Sequence, residues 1–190
     1  MKAVIVHGWG GYAGEAWQSW LKNELEKKGW EVKSPKMPDT ENPKINAWVG
    51  KLKEVVGTVD ENVFLIGHSI GCQTIMRYLS GIDDKIGGCV LVAPFFNLLE
   101  TSYEEEGEKE IAKPWLTEKM DFEKIKRNTG KIVCVFSDND DCVPLTDSEL
   151  FKKRLGAEII IENKKGHFAS GDEINKLPVV LEKLEEILIR

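Results

Sequence analysis

The sequence contains no long apolar segment, and few of its 190 residues are cysteines. No stretch approaches the roughly 20 apolar residues of a membrane-spanning helix. The apolar run at the N-terminus is too short for a signal peptide because Gly8 ends it. We therefore expect a cytoplasmic protein with no membrane partner. The cysteines form no CxxC pair and no zinc-type spacing, which indicates reduced thiols. They are Cys72, Cys89, Cys134 and Cys142.

Basic residues are also in the minority. Lys and Arg number 26 against 32 Asp and Glu, so the formal net charge is -6. This balance disfavours nucleic acid as a partner, because phosphate binding requires a clustered basic surface. Hydrophobic residues make up 42% and charged residues 31%, which is typical of a globular protein. With no internal repeat and no linker, we expect one domain over residues 1–190.

Strand-like and helix-like segments alternate along the chain. The predicted strands are residues 3–6, 30–33, 63–66, 89–92, 132–136 and 159–161. The predicted helices are residues 17–28, 45–56, 69–79, 148–155 and 177–188. Short apolar strands separated by amphipathic helices predict an α/β fold. We expect a three-layer sandwich in which helices cover both faces of a mostly parallel, six-stranded sheet.

Residues 95–120 interrupt this alternation. They contain Pro114 and the acidic run Glu104–Glu106, and they show no clear hydrophobic period. A long insertion in a compact domain often forms a lid or a binding loop. We therefore predict a short lid-like insertion here, and we interpret the acidic run as a solvated surface.

The pentapeptide Gly67-His68-Ser69-Ile70-Gly71 is the strongest chemical signal in the sequence. A predicted strand precedes it and a predicted helix follows, which is the setting of a nucleophile elbow. On so tight a turn the serine is strained, and side chains at Gly67 and Gly71 would collide with the neighbouring helix and strand. We therefore predict that Ser69 is a nucleophile. The alternative is a serine that only caps a helix.

A serine nucleophile needs a general base, and the sequence has only three histidines. His7, His68 and His167 all lie at or just after the end of a predicted strand. Open α/β sheets place their sites at that edge. We favour His167 as the base, because the side chain of His68 should point away from Ser69 in a sharp turn. A metal site formed by all three histidines is the alternative, but it would leave the two elbow glycines unexplained.

A third group should orient the imidazole, and the order Ser, Asp/Glu, His places it after the strand 132–136. Asp138, Asp140 and Asp141 compete for this role in the loop that follows. Each of them could equally be a turn residue. The residues alone leave the choice among the three aspartates open.

Two backbone N–H groups should bind the negative charge that develops on the substrate oxygen. Ile70, which follows the nucleophile, is one candidate. Trp9, in the glycine-rich loop His7–Gly11, is the other. A nucleotide-binding loop is the alternative there, but the G-x-G-x-x-G spacing is missing. The candidate substrate-binding residues are His68, Phe95, Phe96 and Trp115, beside Trp9.

These motifs together resemble the α/β-hydrolase superfamily over nearly the whole chain. The early His-Gly-Trp and the Gly-His-Ser-Ile-Gly-Cys elbow are similar to the YdeN and retinoblastoma-binding-protein-9 group of small serine hydrolases. The resemblance implies a reduced fold whose sheet begins at the strand before the Gly8 loop. It also implies a Ser69, Asp140 and His167 triad, because the acid precedes a Val-Pro pair by three residues.

The resemblance further implies esterase-like or amidase-like activity without a cofactor. We therefore expect a serine hydrolase of the carboxylesterase type, which cleaves a small carboxylic ester or amide through an acyl-enzyme and needs no metal. The alternative is a partner-binding protein on the same scaffold, with a retained or vestigial triad, since a fold does not establish a function. An intact triad disfavours that alternative, because a binding module does not need this chemistry.

Overall fold

The computed structural model describes residues 1–103 and 105–189. Within these residues, six strands form one sheet in the order β2-β1-β3-β4-β5-β6, and every neighbouring pair is parallel. The strands are β1 (Lys2–Val6), β2 (Glu31–Lys33), β3 (Val63–His68), β4 (Gly88–Val92), β5 (Ile132–Ser137) and β6 (Glu158–Glu162). The predicted α/β architecture is confirmed.

The helices cover both faces of the sheet. They are α1 (Trp17–Lys27), α2 (Ile45–Val56), α3 (Ile70–Gly81), α4 (Glu108–Thr117), α5 (Phe122–Arg127), α6 (Asp147–Leu155) and α7 (Pro178–Leu188). Helices α1 and α7 pack on one face, and helices α2 to α6 supply the core of the other. The three predicted layers are therefore present.

The sheet is buried because its inner strands are apolar on both faces. In β1, Ala3 and Ile5 face α1 and α7, while Val4 and Val6 face the opposite core. This alternation is the period of two that an extended strand imposes. The edge strands β2 and β6 are only partly buried. The carboxyl ends of the inner strands therefore form a rigid platform for the loops that follow them.

The insertion at residues 95–120 is more regular than we expected. Helix α4 occupies part of it, although Pro114 lies inside the helix. Its buried face consists of only Ala112 and Trp115, which is too short a stripe to show a period in the sequence. Glu104 lies outside the described residues, whereas Glu105 and Glu106 are exposed, as expected of a solvated surface.

All four cysteines lie in the described part of the chain and are free. Cys89 and Cys134 are buried within strands, as predicted, and burial raises the pKa of the Cys89 thiol to about 12. Over residues 1–103 and 105–189, no helix has both the length and the apolar character that crossing a membrane would require.

Candidate active site

Ser69 lies on the turn between β3 and α3. Its backbone adopts φ 52° and ψ -119°, a region that residues with a Cβ rarely enter. The turn is fixed from two sides: the Ser69 N–H donates to the Val92 carbonyl at 2.9 Å, and the Ser69 carbonyl accepts from the Cys72 N–H at 2.9 Å. The elbow therefore has the strained geometry that its sequence predicts, and the helix begins at Ile70 rather than at Ser69.

The two elbow glycines are required by close backbone approach. A Cβ on Gly67 would lie 2.8 Å from the Cys72 nitrogen, at the start of α3. A Cβ on Gly71 would overlap the Val6 carbonyl oxygen and lie 2.7 Å from the His7 carbonyl oxygen, at the end of β1. Because the two atoms close to Gly71 are backbone carbonyl oxygens, no change of side-chain rotamer can move them aside.

Gly71→Ala should therefore destabilise the protein, by roughly 1–3 kcal/mol. Gly50→Ala is the matched control, since Gly50 lies within α2 and a Cβ there would meet no atom within 4 Å. That control should be stabilised by about 0.5–1 kcal/mol, because alanine is the better helix former. Denaturant midpoints measure both effects. Equal stability of the two variants would contradict the close approach of α3 to β1.

The side chain of His167 connects Ser69 to Asp140. His167 Nε2 lies 2.9 Å from Ser69 Oγ, and His167 Nδ1 lies 3.0 Å from each carboxylate oxygen of Asp140. A carboxylate can only accept, so Nδ1 carries the proton and Nε2 is free to accept the hydroxyl proton of Ser69. The side chain of Asp140 is 3% exposed and that of His167 15%, so water has little access to this chain of hydrogen bonds.

The loop after β5 fixes the carboxylate of Asp140. One oxygen, Oδ1, accepts the backbone N–H groups of Cys142 at 2.8 Å and Val143 at 2.9 Å. Asp138 instead accepts from the backbone N–H of Lys164 at 2.7 Å, and Asp141 is exposed beside the Cys142 thiol. Of the three competing aspartates, the structure brings only Asp140 to His167.

Two polar residues that the sequence analysis did not single out tie the loop of His167 to the same segment. Ser137 Oγ accepts the Lys165 N–H at 3.0 Å, and Asn139 Oδ1 accepts the Gly166 N–H at 2.9 Å. In the sequence they resemble ordinary turn residues. Their contribution is visible only once the loops after β5 and β6 are side by side.

His68 is buried behind the loop of His167. Its Nε2 lies 2.8 Å from the His167 carbonyl oxygen and donates to it. Burial, followed by the nearby charge of His167, lowers the pKa of His68 from 6.5 to about 3. The ring is therefore neutral at ordinary pH. His68 bonds the backbone of His167 and not the Ser69 hydroxyl, in agreement with the expectation that it is not the base of Ser69.

This burial predicts a loss of stability in acid. Between about pH 6.5 and pH 3, an unfolded His68 binds a proton that the folded one excludes, so the free energy of unfolding falls as the pH is lowered. When the pH is lowered from about 7 to about 5, this group alone should reduce the free energy of unfolding by about 2 kcal/mol. Chemical denaturation of the wild-type protein and of His68→Gln at both pH values measures this change. The free energy of unfolding of His68→Gln should fall less than that of the wild-type protein. Equal losses would mean that folded His68 becomes protonated.

His7 is engaged on both ring nitrogens. Nδ1 donates to the Gly8 carbonyl at 2.9 Å, and Nε2 accepts the Met37 N–H at 3.1 Å. Burial lowers the pKa of His7 as well. Both ring nitrogens are thus engaged by the backbone, one by Gly8 and the other by Met37, which leaves His7 no free nitrogen for a three-histidine metal site.

A different group of side chains has the spacing of metal ligands. In residues 1–103 and 105–189, the potential ligand atoms of Asp140, Cys142 and His167 lie within 4.8 Å of one another. Two of the three already bond each other. Burial and the charges of Asp141 and Asp140 raise the pKa of the Cys142 thiol to about 12, so without a metal ion this side chain is a neutral thiol.

Both predicted oxyanion-binding residues line the cavity at Ser69. Ile70 is the first residue of α3, where backbone N–H groups lack a partner within the helix. Trp9 is held in place by its indole N–H, which donates to the Glu41 carbonyl at 3.1 Å. In the described part of the chain, neither backbone N–H of this pair has an acceptor. Both therefore remain available to a ligand.

The cavity over Ser69 has a volume of about 430 Å³. Its apolar wall includes Phe95, Leu98 and Ile70, and residues of the 95–120 insertion border it. Thr101, Ser102 and Glu108 complete this side of the wall. The insertion is thus placed beside the site, as a lid would be.

Two of the predicted substrate-binding residues lie elsewhere. Trp115 is 1% exposed and packs edge-on against Trp48 in the core. Phe96 stacks on Phe151 with ring centroids 4.2 Å apart. Neither lines the cavity at Ser69. The prediction was wrong for Phe96 and Trp115, because Trp115 is buried in the core and the partly buried Phe96 ring stacks on α6, whereas His68 and Phe95 do line the cavity.

The parallel sheet and the elbow between β3 and α3 define the α/β-hydrolase fold. The chain matches the family model described as serine hydrolase over residues 3–186, and it belongs to that family. Membership makes it a hydrolase.

Two related sequences match almost the whole chain. YdeN of Bacillus subtilis (strain 168) is 26% identical over 185 residues, which span 96% of this chain and 94% of YdeN. Serine hydrolase RBBP9 of Rattus norvegicus is 28% identical over 190 residues, covering 98% and 97% of the two chains.

Solved structures agree with the fold. The crystal structure of the B. subtilis ydeN gene product superposes with a TM-score of 0.90 at 25% identity, covering 100% of this chain and 99% of the other. Est1E from Butyrivibrio proteoclasticus has a TM-score of 0.76 at 17% identity, covering 100% of this chain and 88% of its own, and shares the fold alone.

Proposed function

We propose that this chain hydrolyses a carboxylic ester or amide of a small molecule through an acyl-enzyme on Ser69. The observation that supports this most directly is the hydrogen-bond chain from Ser69 Oγ through His167 to Asp140. It lies at a cavity of about 430 Å³, which suits a small substrate. Esters should react faster than amides, because an alcohol is the better leaving group.

In the first half of the reaction, Ser69 Oγ attacks the substrate carbonyl carbon and His167 Nε2 takes the hydroxyl proton. The Asp140 carboxylate accepts the hydrogen bond from Nδ1–H and stabilises the imidazolium. The N–H groups of Trp9 and Ile70 bind the oxyanion. When the carbon–oxygen or carbon–nitrogen bond breaks, His167 gives its proton to the departing alcohol or amine.

In the second half, a water molecule attacks the acyl carbon. His167 Nε2 takes a proton from that water, and the same two N–H groups bind the second oxyanion. Collapse of this intermediate breaks the bond to Ser69 Oγ, which recovers its proton from His167. The carboxylic acid leaves and the enzyme is restored without any added cofactor.

The acyl-enzyme is the feature to test. Mixing the protein with excess p-nitrophenyl butyrate should release a rapid burst of p-nitrophenol, with about one molecule per chain, if deacylation is the slower half. Mass spectrometry of the acid-quenched protein should find one butyryl group, carried by the peptide that contains Ser69. Turnover with the acyl group on another residue, or no turnover of any ester, would contradict the proposal.

A further inference from the structure

The charged side chains around the Ser69 cavity are all of one sign. Carboxylates contribute to its wall on several sides, and of the described residues that line it, none is Lys or Arg. The carboxylates are Glu15, Glu41, Glu108, Asp141 and Asp172. They come from segments far apart in the sequence, so this charge pattern arises only when the fold brings the loops together.

Four of these carboxylates have no cationic partner among the described residues. Glu15 accepts the Ser170 hydroxyl at 2.6 Å, and Asp172 accepts the Ala169 N–H at 2.9 Å. Asp141 lies beside the Cys142 thiol, and Glu41 faces Gly10. Within residues 1–103 and 105–189, none of the four takes part in a salt bridge. Within the described residues, these four charges are therefore not paired with a Lys or Arg side chain.

Cys142 and His68, which also line the cavity, are consistent with a negatively charged wall. After burial, the charges of Asp141, Asp140 and Asp172 contribute to raising the pKa of the Cys142 thiol. His68 is 4% exposed, donates through Nε2, and leaves its Nδ1 lone pair without a partner in the described structure. That nitrogen faces Gly8, next to Ser69. The wall thus offers an unused buried acceptor as well as unpaired carboxylates.

We propose that the natural substrates of this site carry a positively charged group, such as an ammonium or a guanidinium, near the ester or amide bond. The proposal rests on the hydrolase function proposed above and specifies its substrate class. A cleft lined by charges of one sign concentrates the field and raises the local concentration of oppositely charged ligands. The same field opposes the entry of a carboxylate-bearing ester.

Matched esters test this charge preference. One series consists of p-nitrophenyl esters of equal chain length that end in an ammonium, a methyl or a carboxylate group. A second pair places the charge on the alcohol, as butyrylcholine against its neutral isostere 3,3-dimethylbutyl butyrate. In at least one series, kcat/KM for the cation should exceed that of the neutral ester by roughly tenfold at low salt. The ratio should fall as salt is added.

Variants test whether the carboxylates of the cavity wall cause the preference for cationic esters. Glu41→Gln/Asp141→Asn removes two of the unpaired charges and should reduce the cation-to-neutral ratio by about threefold or more. Glu182→Gln is the matched control, because Glu182 is an exposed carboxylate on α7 outside the cavity. It should leave the ratio unchanged.

The outcomes separate this proposal from the one on which it rests. Turnover of the neutral esters without any preference for the cation in either series would overturn the charge proposal and leave the hydrolase function standing. A preference that the double variant retains in full would also overturn it. Absence of turnover for every ester, together with no reaction of Ser69 with a fluorophosphonate, would overturn both.

Discussion

Ser69→Ala should abolish ester turnover and covalent labelling by a fluorophosphonate while leaving the fold intact. The expected loss in kcat is on the order of a millionfold, because removing the nucleophile removes the acyl-enzyme route altogether. The fold should survive because alanine occupies less space than serine on the strained turn. Initial rates with p-nitrophenyl butyrate, the stoichiometry of labelling and the far-ultraviolet circular dichroism spectrum measure the three expectations.

Ser80→Ala is the matched control for this change. Ser80 lies near the other end of α3 and bonds the Asp121 N–H, outside the cavity. It should be labelled as fast as the wild-type protein. Labelling that persists in Ser69→Ala would show that another residue is the nucleophile, and labelling lost in both variants would point to a folding defect of α3.

Local sequence predicted the parts of the site that depend on a few consecutive residues. The elbow is one such part: the collisions at Gly67 and Gly71 require only that a strand, a tight turn and a helix follow one another. The buried strands are another, because their apolar runs suffice to place them within a parallel sheet. For the same reason the carboxyl edge of the sheet, where Ser69 and His167 meet, was predictable.

Features that depend on several loops could not be predicted in this way. Phe96 and Trp115 are aromatic residues of the insertion, but Trp115 packs against Trp48 of α2 in the core and Phe96 stacks on Phe151 of α6. The carboxylates of the cavity wall resemble ordinary surface residues until the fold brings them together. A cytoplasmic location and a single domain over residues 1–190 stay predictions.

Asp140→Asn should lower kcat by about a thousandfold or more. The reason is that this carboxylate bonds both the backbone of its own loop and the imidazole of His167. Oδ1 accepts the backbone N–H groups of Cys142 and Val143, and both oxygens face His167 Nδ1. An asparagine can satisfy the backbone with its oxygen, but its NH₂ group then faces Nδ1. An NH₂ group donates, which favours the tautomer in which Nδ1 accepts and the ring proton lies on Nε2. A protonated Nε2 cannot take the proton of Ser69.

The neighbouring aspartates provide the controls, since Asp138→Asn and Asp141→Asn alter the same loop without touching His167. Each should change kcat by less than about tenfold, because neither faces the imidazole. The measurement is kcat for one chromogenic ester in all three variants, with circular dichroism to verify folding. Asp138 anchors the loop after β6 through the Lys164 N–H, so a loss of stability in Asp138→Asn together with retained turnover agrees with this assignment. A large loss of kcat in Asp138→Asn together with a retained kcat in Asp140→Asn would contradict the assignment of Asp140. The acid would then act from a position that the hydrogen bonds of His167 do not reach.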